Sequence, residues 1–409
     1  MILRTKPWNH ECSSPLTRGN GPRHLLLAAF LRFIICVTSV FRLEQLLRFT
    51  PAMKSKCGFI FILTLLTFSA RSISTDAQQL RDAFRKVNQS VVIVRTKHVE
   101  LAPSGDDGML IIDGLGSGVL ISNDGKVLTA AHVVQTADIA CVEFPDGQAI
   151  QARVIGSDVR SDVALLQLER MPKGVTPAIL GDSDKVEVGD QIFVIGAPYG
   201  IGQTLSAGHL SGRHRLNNNN ESATSVEFLQ TDAAVNTGNS GAPMFDMEGN
   251  VIGVLSSIMS RSGGSEGLAF GTAANTAKRL LLDHTPFWSG IDGFVITGDL
   301  AKALNLPQPA GFLVQRIGEG SMGSRLGINP GTLRATIQGT DILLAGDVLL
   351  TVNGIDIATP SRDQFGIATA DENYERIYNS VAALRPGDVL AVTVLRQGKV
   401  LKLTTTIER

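Results

Sequence analysis

Three side chains have the types and settings that acyl-transfer chemistry uses. Ser240 stands between glycines in TDAAVNTGNSGAPMF, residues 231–245. A neutral serine hydroxyl attacks a carbonyl only with a base beside it, and that base needs a carboxylate to orient it. His132 lies near the end of the apolar run VLTAAHVV, with small residues behind it. Asp162 immediately precedes the apolar run VALLQL, where a half-buried carboxylate needs a partner to stay charged. Each residue also has a plainer reading. The serine suits an ordinary polar turn, the histidine a satisfied core or edge position, and the aspartate a bond to its own backbone. Asp158, in GSDVR, competes with Asp162 but has no apolar strand directly after it.

Short strands must position these residues. After a helix over TDAQQLRDAFRKVNQ, the chain from Ser90 reads SVVIVRT, GSGVLIS, KVLTAAHVV, ACVEF, AIQARVIG and VALLQLE. These runs are rich in valine and isoleucine and are split by Asn-Asp-Gly, Pro-Asp-Gly and Gly-Asp turns. Asp146-Gly147 is a hairpin signal. The same texture continues through DQIFVIGAP, EFLQTDAAV, NVIGVLSSI and GLAFGTA. No helix-period segment intervenes, which predicts an all-β sandwich or barrel. The helix NTAKRLLLDH closes it. From Trp288 a second unit carries about five strands and a helix at ENYERIYNSVAALR, a pattern that suits a small α+β domain.

The chain order His132, Asp162, Ser240 on an all-β scaffold is the chymotrypsin arrangement; subtilisin and the α/β-hydrolases use other orders. TAAHVV, SDVALLQL and QTDAAVNTGNSGAP, followed by GLAFGTAANTAKRLL, resemble the HtrA (DegP-like) serine proteases over roughly residues 80–409. The resemblance implies a mainly β fold: a chymotrypsin-like double six-stranded β-barrel at 76–286, then one small α+β PDZ domain at 287–409. It implies His132 as general base, Asp162 as its orienter and Ser240 as nucleophile. The segment Gly238, Asn239, Ser240 then forms the oxyanion hole, with the glycine letting N–H groups point inward. Asn239 replaces the aspartate that zymogen-type proteases use to receive a new N-terminal ammonium. Activation by loop rearrangement is implied instead, with Arg213 in SAGHLSGRHRL as the matching sensor residue. Ala234, six residues before the serine, implies a specificity pocket for small aliphatic side chains, and SSIMSRSGGSEG its other wall. The usual Gly-Gly after the serine is Gly241-Ala242 here.

In the second unit, LAKALNL and GFLVQRIGEGSMGSRLGI resemble an HtrA-type PDZ domain. Ser289, Gly290, Ile291 and Asp292 match its nest for a peptide C-terminal carboxylate. Asp292 sets a negative charge near that carboxylate. An insertion at 329–344 departs from the family pattern, and a loop this long is expected to be functional or disordered.

With 409 residues, 18% charged residues and a net charge of −1, the composition suits a globular protein, and no basic stripe interleaved with aromatics implies a nucleic-acid partner. Residues 53–75, MKSKCGFIFILTLLTFSARSIST, have the layout of a secretory signal peptide. Residues 1–52 are then an upstream extension, with translation starting at Met53, or a membrane tether if they are retained. Export to a bacterial periplasm follows. Of four cysteines, Cys12, Cys36 and Cys57 lie in this leader, which leaves Cys141 without an internal partner; no cluster has metal-ligand spacing. The expected function is an exported endopeptidase degrading unfolded or damaged envelope proteins, regulated by its PDZ domain, with no cofactor or metal. Its expected partners are unfolded proteins, peptide C-termini and copies of itself in a homotrimer. Phe84 is a candidate trimer contact or an ordinary core contact. The alternative is a protease-fold chaperone or peptide-binding adaptor with an idle triad.

Overall fold

The computed structural model describes residues 76–101, 109–216, 225–258, 265–284, 286–337, 339–357 and 372–407. The chain divides into two compact units, residues 13–79 and residues 1–12 with 80–409. Of the first, only residues 76–79 are described, as the start of a helix. The leader expectations for residues 1–75 lie outside the described residues. Among the described residues no helix is long and apolar enough to cross a membrane.

Helix α1 spans Asp76–Val87, with an acid in its first turn and Arg85 and Lys86 in its last, as the helix dipole favours. Ala83 and Val87 are buried, and Phe84 packs beside them against the same core. Six strands follow: β1 (Val91–Leu101), β2 (Met109–Leu120), β3 (Lys126–Thr129), β4 (Ile139–Glu143), β5 (Ala149–Asp158) and β6 (Val163–Leu168). They close into a barrel in the order β1-β2-β3-β6-β5-β4. The next strands are β7 (Ile179–Leu180), β8 (Gln191–Gly196), β9 (Thr204–Leu216), β10 (Val226–Thr231), β11 (Pro243–Phe245), β12 (Asn250–Ile258) and β13 (Ala269–Ala273). Their order is β11-β8-β9-β10-β13-β12, and pairing of β11 with β12 closes a second six-stranded barrel. Strand β7 adds in parallel to β12. This is the chymotrypsin-like double barrel.

The continuous apolar runs follow from strands buried on both faces. Side chains alternate across a strand. In β8, Ile192 and Val194 therefore fill the second barrel, while Phe193 and Ile195 join the core between the barrels. In β6, Ala164, Leu166 and Leu168 fill the first barrel, while Val163 and Leu165 face that same shared core. Phe193 stacks on Phe245 there, with ring centroids 5.1 Å apart. Helix α3 (Ala274–Leu281) covers it with Ala277, Leu280 and Leu281.

Four local expectations are corrected. VLTAAHVV is not one strand: β3 stops at Thr129, and Ala131–Val134 form a single turn, α2. SAGHLSGRHRL is the body of β9 rather than a loop. Arg213 within it is no free sensor, because its guanidinium grips Glu227 at 2.8 and 3.1 Å and donates to the carbonyls of Ser183 and Val186. Cys141, in β4, is disulfide-bonded rather than unpaired.

Arg215 adds a third hydrogen bond to Glu227 at 3.0 Å. Burial alone would raise the Glu227 carboxyl, but the two arginines outweigh it and hold it below its ordinary value. The folded carboxyl is thus the stronger acid. Its stabilising contribution is complete above the ordinary carboxylate pKa of about 4.3 and is lost as pH falls through the lower folded value. Glu227→Gln is expected to flatten the decline of unfolding free energy below that pH, measured by urea unfolding at stepped pH.

The C-terminal part holds a sheet in the order β14-β15-β18-β20-β21, with β19 paired to β18. The strands are β14 (Ile291–Thr297), β15 (Ala310–Ile317), β18 (Val348–Val352), β19 (Ile355–Asp356), β20 (Val389–Arg396) and β21 (Lys399–Thr406). Helices α4 (Gly298–Ala303), α5 (Met322–Arg325) and α6 (Glu372–Ala382) accompany it, an arrangement that fits a PDZ domain. The insertion is the fourth correction. It forms a hairpin of β16 (Leu333–Ile337) and β17 (Thr340–Leu344), held by two hydrogen bonds between the Gln315 amide and the Leu343 backbone.

Candidate active site

His132 sits in the one-turn helix α2, reached directly from β3. Ala130 and Ala131 are fully buried, so small side chains let this turn lie flat on the barrel. Asp162 lies in the short connection between β5 and β6, with a left-handed φ of +54°. Asp158, the competing carboxylate, accepts from the N–H and hydroxyl of Ser161, each at 2.7 Å. The Ser161 carbonyl accepts from the Thr272 hydroxyl. The turn is fixed from both sides, and Asp162 is the carboxylate presented to His132.

The two residues meet closely. Asp162 Oδ2 is 2.8 Å from His132 Nδ1, and Oδ1 accepts from the His132 backbone N–H at 2.9 Å. The Ser256 hydroxyl donates to Oδ2 at 2.6 Å. An ionised carboxylate only accepts hydrogen bonds, so Nδ1 carries the proton and Nε2 keeps its lone pair. The imidazole is half exposed, which leaves Nε2 open to a substrate cleft. Ser256 begins the stretch read from the sequence only as a pocket wall; its role is set by β12, which brings it to Asp162 across the barrel interface.

Ser240 is partly buried, in a turn where Gly238 has φ +96°. A Cβ at Gly238 would lie 2.7 Å from the Ala197 carbonyl oxygen and 2.7 Å from Tyr199 N, so only glycine fits. The Tyr199 N–H donates to the Thr237 carbonyl at 3.1 Å, which turns the N–H of the Thr237–Gly238 peptide the other way. Among the described residues, neither the Gly238 nor the Ser240 N–H donates to a protein acceptor. An oxyanion hole requires two such open donors beside the nucleophile. The Asn239 N–H is different: it is taken up by the Asn236 carbonyl at 3.0 Å. Asn239 is therefore a strut of the turn, and its buried side-chain oxygen has no partner among the described residues. Ala242 is fully buried in the second-barrel core, so its methyl group points away from the site. The Ser240 hydroxyl makes no hydrogen bond to His132 among the described residues; such contacts commonly tighten only with substrate bound.

Ala234 is exposed on the stretch after β10. The neighbouring Val235 N–H and Asn236 Oδ1 tie that stretch to Ser265 at 3.4 and 3.2 Å. The rest of the opposing wall, 259–264, lies outside the described residues. Among the described residues no group of three or more His, Cys, Asp or Glu side chains could hold a metal.

The residues expected to cradle a peptide carboxylate lie elsewhere. The Ser289 and Gly290 carbonyls accept from the N–H groups of Gly323 and Gly318, at 2.9 and 2.8 Å. Asp292 lies 3.9 Å from Arg316, which partly offsets its charge. This segment is docked on Gln135, at the end of α2. The Gln135 amide nitrogen donates to Ser289 Oγ at 3.0 Å and to the Ile291 carbonyl at 3.1 Å. Its oxygen accepts from Ser157 Oγ at 2.7 Å, and its backbone carbonyl accepts from the Trp288 indole at 2.9 Å. Nothing local in the sequence marks Gln135, because all these partners are distant along the chain. Truncation would leave three part-buried polar groups without this partner, so Gln135→Ala is expected to lower unfolding free energy by about 2 kcal/mol, measured by urea unfolding.

Fold and site together define a trypsin-like peptidase. Residues 116–254 match the trypsin-like peptidase domain, a span that includes His132, Asp162 and Ser240. The chain is similar to DegP-like periplasmic serine endoproteases. It is 37% identical over 299 residues to the probable periplasmic serine endoprotease DegP-like of Ectopseudomonas mendocina (strain ymp), covering 72% of this chain and 56% of that protein. It is 32% identical over 303 residues to the periplasmic pH-dependent serine endoprotease DegQ of Escherichia coli (strain K12), covering 72% and 60%. Among solved structures, the HtrA-type protease AlgW with tripeptide is 31% identical, covers 80% of this chain and 96% of that one, and has a TM-score of 0.44. The chain spans little more than half the length of the curated relatives it matches.

Proposed function

We propose that this protein is an exported serine endopeptidase that hydrolyses unfolded or damaged proteins of the bacterial envelope. Residues 76–286 are taken as its protease domain and 287–409 as a regulatory PDZ domain. The observation that carries the reading is the bracket on His132: Asp162 holds its Nδ1 at 2.8 Å and its backbone N–H at 2.9 Å. Nε2 is left as a general base on the same fold as a serine flanked by open N–H groups.

In the proposed cycle, Ser240 Oγ attacks the scissile carbonyl while His132 Nε2 takes its proton. The Gly238 and Ser240 N–H groups receive the oxyanion. His132 then protonates the departing amine. Water, activated by the same nitrogen, attacks the acyl-serine and releases the second product. Ala234 contributes to a pocket for small aliphatic side chains. Residues 289–292 hold a peptide C-terminus, and the working assembly is a homotrimer. The relatives named as periplasmic support the same compartment here.

Casein hydrolysis by the full chain tests this reading, with and without peptides bearing free C-termini. Cleavage is expected, and a peptide-dependent rise would assign regulation to residues 289–292. Tight binding of casein without cleavage under any condition would instead favour a chaperone or adaptor.

A further inference from the structure

Resting on the peptidase reading above, we propose that Ser117 is a positioning residue whose side-chain hydroxyl fixes the C-terminal side of Gly238, the residue that carries one of the two oxyanion-hole N–H groups. Ser117 is fully buried in β2, on the first barrel, and every hydrogen-bonding group it carries toward the second barrel is engaged there. Its N–H donates to the Ser240 carbonyl at 2.7 Å. Its hydroxyl donates to the Gly238 carbonyl at 2.8 Å and accepts from the Ala197 N–H at 3.0 Å.

The direction of the hydroxyl proton follows from these partners. Ala197 N–H can only donate, so the Ser117 proton must lie toward the Gly238 carbonyl. The peptide planes on both sides of Gly238 are then clamped. Tyr199 N–H holds the Thr237 carbonyl on one side, at 3.1 Å, and Ser117 Oγ holds the Gly238 carbonyl on the other. Both clamps reach the segment 197–199, against which Gly238 sits without room for a Cβ. Glycine is the residue whose backbone most readily takes another conformation. Without the hydroxyl, the Gly238–Asn239 peptide keeps only the Asn239 N–H bond to Asn236 at 3.0 Å, and rotation about Gly238 can then shift the adjoining peptide that carries the oxyanion donor.

Gly116 allows the approach, since a Cβ there would lie 3.0 Å from the Ser240 carbonyl oxygen. The Ser117 carbonyl accepts from the Thr129 hydroxyl at 2.7 Å, so Thr129 supplies a matched control. Thr129→Val loses a buried hydrogen bond at the same interface but leaves both clamps intact.

The experiment compares full-chain wild type, Ser117→Ala, Ser117→Cys and Thr129→Val for kcat, KM and affinity for a peptide boronate, which forms a tetrahedral anion on the nucleophile. Ser117→Ala is expected to lower kcat about a hundredfold, as a small misplacement of reacting groups does, with KM nearly unchanged. Boronate affinity is expected to fall in parallel. Thr129→Val is expected to keep both near wild type. If Ser117→Ala does not fold, Ser117→Cys decides, because its thiol is a weaker donor and acceptor; an intermediate kcat is expected. A kcat and boronate affinity in Ser117→Ala equal to those of Thr129→Val would overturn the assignment while leaving the peptidase reading intact. For Ser117→Cys, values equal to wild type would do the same. Absence of turnover in the wild type itself would remove the peptidase reading, and this inference with it.

Discussion

Ser240→Ala is expected to lower kcat for peptide hydrolysis about a millionfold, leaving only the residual rate that binding and oxyanion contacts provide. The size of the effect follows from what the change removes. The acyl intermediate has no other atom to form on, so the two-step path through a covalent ester closes entirely. The fold should tolerate the change. The hydroxyl makes no hydrogen bond among the described residues, and the turn is held by backbone contacts at 237, 239, 240 and 241. Thermal melting within a degree or two of wild type, together with lost casein cleavage, is the expected pair of results. A variant that still cleaved at a tenth of the wild-type rate would move the chemistry away from Ser240.

The second large effect is expected at Asp162. Asp162→Asn should reduce kcat about ten-thousandfold with little change in shape. The carboxylate accepts from the His132 ring, the His132 backbone N–H and the Ser256 hydroxyl. An asparagine offers one acceptor oxygen to those donors and adds an NH₂ that must itself donate. If the NH₂ faces Nδ1, that nitrogen becomes the acceptor and the proton moves to Nε2. The imidazole is then in the wrong tautomer to take a proton from serine. Steady-state kinetics with a peptide substrate checks this. Ser256→Ala should have a smaller effect in the same direction, since it removes one of the three donors and leaves the carboxylate charged.

Much of this was legible in the sequence because burial writes itself into composition. The runs QIFVIG and VALLQL are apolar throughout, and alternate residues of each strand face a barrel interior and the core between barrels. Asp162 is distinguished from Asp158 by the apolar strand that follows it directly, and that strand fixes its position beside His132. The one-turn helix at Ala131–Val134 was hidden for a physical reason. Its two valines and its continuity with VLT favour a strand locally, while the buried alanines and the Asp162 bond to the His132 N–H stabilise a turn. The hairpin in the insertion carries only a weak local signal, the Gly339 turn between TLRATI and TDILL.

What stayed illegible depends on pairs far apart in the chain. Ser117, Gln135 and Ser256 are ordinary residues in ordinary runs. They matter only because β2, α2 and β12 carry them to Gly238, Ser289 and Asp162. Arg213 reads from the resemblance as a sensor residue, and its engagement with Glu227 depends on the pairing of β9 with β10. The role of Asn239 as a strut, rather than an oxyanion donor, is likewise set by a backbone bond to Asn236 that residue type does not announce.

The central claim is that Ser240 is a nucleophile activated by His132. The most direct measurement is labelling of the full chain with a fluorophosphonate, followed by peptide mapping of the modified residue. One stoichiometric label on Ser240 is expected, lost when His132 is replaced by alanine. No label on the wild-type protein, or an equal label in the His132→Ala variant, would contradict the account.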